Sequence, residues 1–128
     1  EEGLSTFQIG ASFAMVAPEW GQPPSYVVFL QLTHGSAGRV AQLVSWMEDR
    51  LLSQYHYAYC RRLGQLGPLR GFRIEGNAEE IYLRFCQEQG QKMGTAKQAA
   101  LHRSVGWSSR FPGAFVRLEA ERAHVGAV

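Results

Sequence analysis

Residues 55–74, YHYAYCRRLGQLGPLRGFRI, decide how the chain folds. Tyr55, Tyr57 and Tyr59 fall on alternate positions, with His56 between them and Arg61 and Arg62 just after. Gly64, Gly67 and Pro68 then punctuate the backbone. Gly64 suits the left-handed position that terminates a helix. Leu69 to Ile74 follows as a strand, with Phe72 and Ile74 on its core face. The stretch therefore closes a helical segment, turns a Gly-Pro corner and starts a strand. Upstream, Val40, Leu43, Val44, Met47 and Leu51 recur at spacings of three and four, which is one apolar stripe on a long helix. Arg39, Gln42, Glu48, Asp49 and Arg50 fill its other side. The helix is expected to end or restart between Ser53 and Gly64. Trp46 falls off the stripe, to pack on a loop or another domain or to stand in solvent.

Further upstream, Leu4 to Ala17 alternates Phe7, Ile9, Ala11, Phe13 and Met15 with small or polar residues, the period of a strand. Gly10 marks a bulge or a break, and Pro18 is expected to end the strand. Gly21, Pro23 and Pro24 make a turn. Tyr26 to Leu32, YVVFLQL, is apolar on both faces up to Gln31, as in a central strand covered on both sides. The short Pro/Gly turn predicts an antiparallel pair. Downstream, Asn77 and Glu80 have the spacing of a capping box opening a second helix, whose stripe is Ile81, Tyr82, Phe85 and Cys86 and whose stop is Gly90. Residues 91–103 are rich in Lys, Gln and Ala. A last helix is expected from Ala114 to His124. The fold class is α+β: a small mixed or antiparallel sheet of three or four strands with two main helices packed on it. Residues 1–111 form the domain and 112–128 a tail.

With 128 residues and 45% hydrophobic composition, the chain has material for one domain with a real core. Its net charge of +2, from 13 basic and 11 acidic residues, demands neither a nucleic acid nor a membrane. The basic residues gather in two groups, Arg61, Arg62, Arg70 and Arg73, and Lys92, Lys97, His102 and Arg103. Each is a solvated face or a site for an anion. Cys60 and Cys86 have no metal-ligand spacing, and free buried thiols in a reducing cytoplasm are the ordinary reading; a single disulfide stays open. No apolar run approaches about 18 residues, so no transmembrane span is expected. The acidic start, EEGLSTF, lacks the layout of a signal peptide.

No self-contained active site is legible. The chain lacks H-E-x-x-H, G-x-S-x-G, a phosphate-cradling G-x-x-x-x-G-K and a Cys/His metal set. Glu75, Glu79, Glu80 and Glu88 read as caps and surface charges. The suggestive segment is KMGTAKQAALHR, residues 92–103. Lys97 follows Gly94 and precedes His102 and Arg103, so it can reach a neighbouring cleft and neutralise charge on a phosphoryl or carboxylate group, or stand solvated.

Taken in order, YHYAYCRRLGQLGPLRGFRI, a helix and KMGTAKQAALHRSVGW resemble the C-terminal domain of the acyl acid–amido synthetases, the auxin-responsive family, and its bacterial branch most closely. ASFAMVAPEW and YVVFLQL resemble the strand pair that opens that domain. The resemblance spans residues 4 to 111 and rests on the order and spacing of motifs that are individually only moderately specific. It implies a small mobile domain of the firefly-luciferase-like adenylating superfamily, partnered by a large N-terminal domain in the same chain or another. The large domain would bind ATP, with Mg2+, and the acyl acid; an amino acid would accept the acyl group. Lys97 aligns with the lysine that contacts the ATP phosphates, with Arg103 as a second nucleotide contact. Tyr57, Arg61, Arg62, Gly67 and Pro68 would form the interface or pivot. Gln98 and Ala99 stand where plant members carry proline and arginine. No motif of the large domain is present, so this chain alone would bind no cofactor and adenylate nothing.

A second reading is a stand-alone α/β module whose basic face binds a nucleotide, RNA or a protein. Phe29 and Phe72 lie in core-like runs rather than on a stacking face, which disfavours RNA. Under the first reading, Tyr55 and Tyr59 are expected to pack between helix and sheet, with Tyr57 left open.

Overall fold

A computed structural model describes residues 7–88 and 106–116. Among them the elements run β1 (Gly10–Glu19), β2 (Ser25–His34), α1 (Ala37–Leu52), α2 (Tyr55–Arg62), β3 (Arg70–Ile74), α3 (Ala78–Glu88), α4 (Trp107–Arg110) and β4 (Gly113–Val116). The strands form one mixed sheet in the order β1-β2-β3-β4. β1 and β2 pair antiparallel, β2 and β3 parallel, and β3 and β4 antiparallel. The α+β class is as the hydrophobic pattern implies, and the parallel β2–β3 pair makes the sheet the mixed one of the two expected types.

β2 is the middle of the core. Val27 and Phe29 face one side and Val28 and Leu30 the other, and all four are buried. Each side is then covered by a helix. Val40, Ala41, Leu43 and Val44 of α1 close one face. Ala78, Tyr82, Phe85 and Cys86 of α3 close the opposite face, together with Trp107 and Phe111. That second layer is aromatic. The Trp107 ring stacks on Tyr82 at 5.6 Å and on Phe111 at 5.3 Å, and meets Phe85 edge-on at 4.5 Å. Such pairs each add about 0.5–1.5 kcal/mol beyond their burial.

Three expectations change. β1 runs through Pro18 to Glu19, with Pro18 opposite Tyr26. An edge strand tolerates proline because its outward N–H has no ladder partner to lose. The register shifts between Gly10 and Phe13 place the bulge where Gly10 indicated. Asn77 does not adopt the extended conformation of a capping residue; its φ is 58°. Gln31 of β2 supplies the acceptor instead, taking the Ala78 N–H on Oε1 at 2.9 Å. Glu80 pairs with Arg84, one turn on, at 3.0 Å. Finally, Ala114–Val116 belongs to β4 rather than to a helix, because β3 offers it an open edge: Phe72 lies opposite Phe115 and Gly71 opposite Val116.

The helix break falls inside the expected window, between Leu52 and Tyr55. Gly64, at φ 76°, ends α2, and the N–H groups of Gln65 and Leu66 both return to the Cys60 carbonyl. Trp46 packs edge-on against Phe7 at 6.0 Å, with the Arg50 guanidinium 4.8 Å over its ring. Cys60 and Cys86 are free thiols, the second buried.

Candidate functional site

The stretch 55–74 is held by one carboxylate. Glu48 sits on α1, and its side chain is only 13% exposed. Its Oε1 accepts from the Tyr57 hydroxyl at 2.6 Å and from the Leu69 N–H at 3.0 Å. Its Oε2 accepts from Arg61 Nε at 2.7 Å. Three elements, α1, α2 and the entry to β3, thus converge on a single side chain. Arg61 also donates to the Leu66 carbonyl at 3.4 Å. The corner is tied a second time, because the Gly67 N–H donates to Pro24 in the β1–β2 connection at 2.9 Å. Pro68 is exposed between the two ties.

The electrostatics follow from this geometry. Burial by itself would raise the Glu48 pKa. The hydrogen bonds from Tyr57, Arg61 and Leu69, with the Arg61 charge, outweigh it and hold the carboxyl below its ordinary 4.5. Tyr57 moves the other way: burial, and then the hydrogen bond to an anion, push its phenol well above the usual 10. The pair is a protonated phenol on an ionised carboxylate. A phenol so held is a poor proton donor to substrate, and this cluster is architecture rather than acid–base chemistry.

The tyrosines divide differently from the expectation. Tyr55 and Tyr59 are exposed, at 71% and 42%, and Tyr57 is the inward residue. The helical period explains it: positions 55 and 59 share a face, and 57 lies across from them. The rings of Tyr55 and Tyr59 stack at 6.0 Å, and the Arg62 guanidinium lies 5.5 Å over Tyr59. The basic group near this corner is also divided. Arg61 is paired, Arg62 lies on Tyr59, Arg70 lies 3.7 Å over Phe115, and Arg73 is exposed. Phe29 and Phe72 are buried in the core, 5.3 Å apart. They offer no stacking face.

A second carboxylate, Glu19, went unnoticed in the sequence because it follows Pro18 in what reads as a turn. It is 7% exposed and accepts the N–H groups of Gly106 and Ser108, both at 3.1 Å. It thereby fixes the start of α4 from the far end of β1. Arg110 of α4 reaches Glu88, the last residue of α3, at 3.5 Å, and stacks over Phe85 at 4.5 Å. Lys97 and Arg103, with Lys92 and His102, lie outside the described residues.

Among the described residues no three His, Cys, Asp or Glu side chains are gathered to hold a metal ion. No described helix is long and apolar enough to cross a membrane. An open cleft of about 730 Å3 at the end of α1 is lined by Trp46, Met47, Asp49, Arg50, Leu51, Ser53 and Gln54.

The chain matches no family model and no curated protein. Its fold is similar to that of a solved enzyme, GH3.15 acyl acid amido synthetase, with a TM-score of 0.61 and 15% identity. The likeness covers 79% of this chain and 19% of the other, so the chain spans about a fifth of the enzyme it resembles, and at that identity the two share a fold.

Proposed function

We propose that the chain is the mobile C-terminal domain of an ATP-dependent acyl acid–amido synthetase and works against a large adenylating domain, in the same chain or another. The observation that carries this is the fold likeness to one fifth of such an enzyme, over most of this chain. The order of motifs in residues 4–111 agrees with it. In that reaction an acyl carboxylate attacks the α-phosphate of ATP and pyrophosphate leaves. An amino-acid amine then attacks the acyl carbon, the amide forms and AMP departs with the electron pair of the broken C–O bond. This chain's part is electrostatic. Lys97, with Arg103 near it, is delivered to the phosphates and stabilises charge as the P–O bonds change. Mg2+ would accompany the nucleotide in the large domain; the buried carboxylates described here, Glu19 and Glu48, are committed to N–H and O–H donors.

The test is acid-dependent ATP–pyrophosphate exchange by the chain combined with its large domain. Lys97→Ala is expected to lower exchange by roughly 10²–10³-fold, as loss of one transition-state contact does. Unchanged exchange removes Lys97 from the mechanism. Exchange by the 128 residues alone refutes the domain role.

A further inference from the structure

α2 is the one described helix of eight or more residues with no fully buried residue. An isolated helix of eight residues does not hold its shape in water. This one is held by Glu48, which grips Tyr57 and Arg61 on its inner side. Its outer side is thereby fixed facing outward. Among the described residues the exposed large hydrophobics are Trp20, Leu52, Tyr55, Tyr59 and Leu63. Four of the five fall within twelve residues, and Tyr55, Tyr59 and Leu63 follow at i, i+4 and i+8, along one face. Scattered exposed apolar residues are ordinary; a row of them on a helix otherwise without a packing role marks an interaction site.

Charge selects the occupant. α2 carries Arg61 and Arg62 and no acidic residue. Arg61 is neutralised by Glu48, whereas Arg62 stands on the Tyr59 ring and meets no carboxylate among the described residues. Two copies packed through this face would bring Arg62 against its own counterpart. A partner with carboxylates around an apolar patch would instead satisfy both the rings and the guanidinium.

We infer that Tyr55, Tyr59, Leu63 and Arg62 form a docking face for an acidic, apolar protein surface, that of the large adenylating domain. The assignment rests on the proposed function for the identity of its partner. It moves the interface from Tyr57 and Arg61, which build the helix, to the residues on its other side.

The experiment is calorimetric titration of the 128-residue chain with the large domain, using the wild type, Tyr59→Ser, Leu63→Ser and Arg62→Glu. All three positions are exposed, and circular dichroism with thermal melting checks that each variant is folded. Each substitution is expected to weaken binding at least about fivefold, as loss of an interface anchor does. Arg62→Glu should also flatten the salt dependence. Wild-type binding that all three variants retain overturns the docking face and leaves the domain role standing. Absence of wild-type binding overturns the domain role and the assignment with it. A dimer in sedimentation velocity that Tyr59→Ser dissolves gives the face to a second copy. Binding of a mixed-sequence single-stranded oligonucleotide, lost in Tyr59→Ser, gives it to nucleic acid. Either of these last results overturns the assignment.

Discussion

The Tyr57 hydroxyl donates to Glu48 at 2.6 Å across nine residues, and through that bond α2 is fixed on α1. The same carboxylate takes Arg61 and the Leu69 N–H. Removing it strands three donors at once. Glu48→Ala is expected to cost about 1–3 kcal/mol of stability, the penalty for leaving buried donors unpaired. Urea denaturation checks this, and a loss below measurement error would mean that water replaces the carboxylate.

The same residue sets an acid limit. Its folded-state pKa lies below the ordinary 4.5, so its contribution is present in full above that value. It is lost as pH falls through the depressed folded value. The urea midpoint of the wild type should therefore drop on acidification below about pH 4.5, more steeply than that of Glu48→Gln. Parallel profiles for the two proteins would show that Glu48 is not the group involved.

Tyr57 gives the alkaline counterpart. Its pKa is raised above 10, so the folded state keeps the phenol proton longer than the unfolded chain does. Its stabilisation is complete below pH 10 and is lost as pH rises toward the raised value. In an ultraviolet titration the Tyr57 step should lie above the usual 10. Tyr57→Phe should remove that late step. A late step that persists belongs to another tyrosine.

Glu19 predicts a local effect. It accepts from Gly106 on one oxygen and from Ser108 on the other, so Glu19→Gln, which keeps one neutral oxygen and turns an NH2 toward the second donor, weakens one bond and removes the other. Hydrogen exchange at those two amides is expected to rise by about 10-fold or more, equivalent to about 1.4 kcal/mol or more of lost protection. Exchange at Val28 and Phe29, in the sheet centre, should change far less.

Gly113 opens β4 at φ 148°, and a Cβ there would lie 2.0 Å from the Arg73 carbonyl oxygen. Gly113→Ala must break that approach, and the backbone oxygen cannot move without breaking the β3–β4 pairing. A loss of about 1–3 kcal/mol is expected, with the thermal midpoint as the readout.

Periodicity made the sheet and both main helices legible. Val27 to Leu30 read as a strand covered on both faces, and the stripe from Val40 to Val44 as part of a helix facing the sheet, and both are so. The corner was legible too, since Gly64 takes the left-handed conformation its position demanded. The partners of charged groups were not. Glu48 belongs to a run with Asp49 and Arg50 that looks solvated, and its donors are nine, thirteen and twenty-one residues away. No local pattern encodes such distances. The sequence reading packs Tyr55 and Tyr59 and leaves Tyr57 open, but on a helix alternate positions face apart, so Tyr57 is the packed member and the other two are exposed. β4 was missed because four residues are too few to show a period, and its strand state comes from the free edge of β3.

The Glu48–Leu69 bond has a mechanical meaning. It closes a ring of backbone twenty-one residues along, and α2 rides within that ring. A force applied to α2 therefore reaches α1 and the head of β3 together, through two oxygens of one side chain. The helix and the sheet turn as one piece, and an insertion in the segment 63–66 would lengthen the ring without shifting the register of any strand.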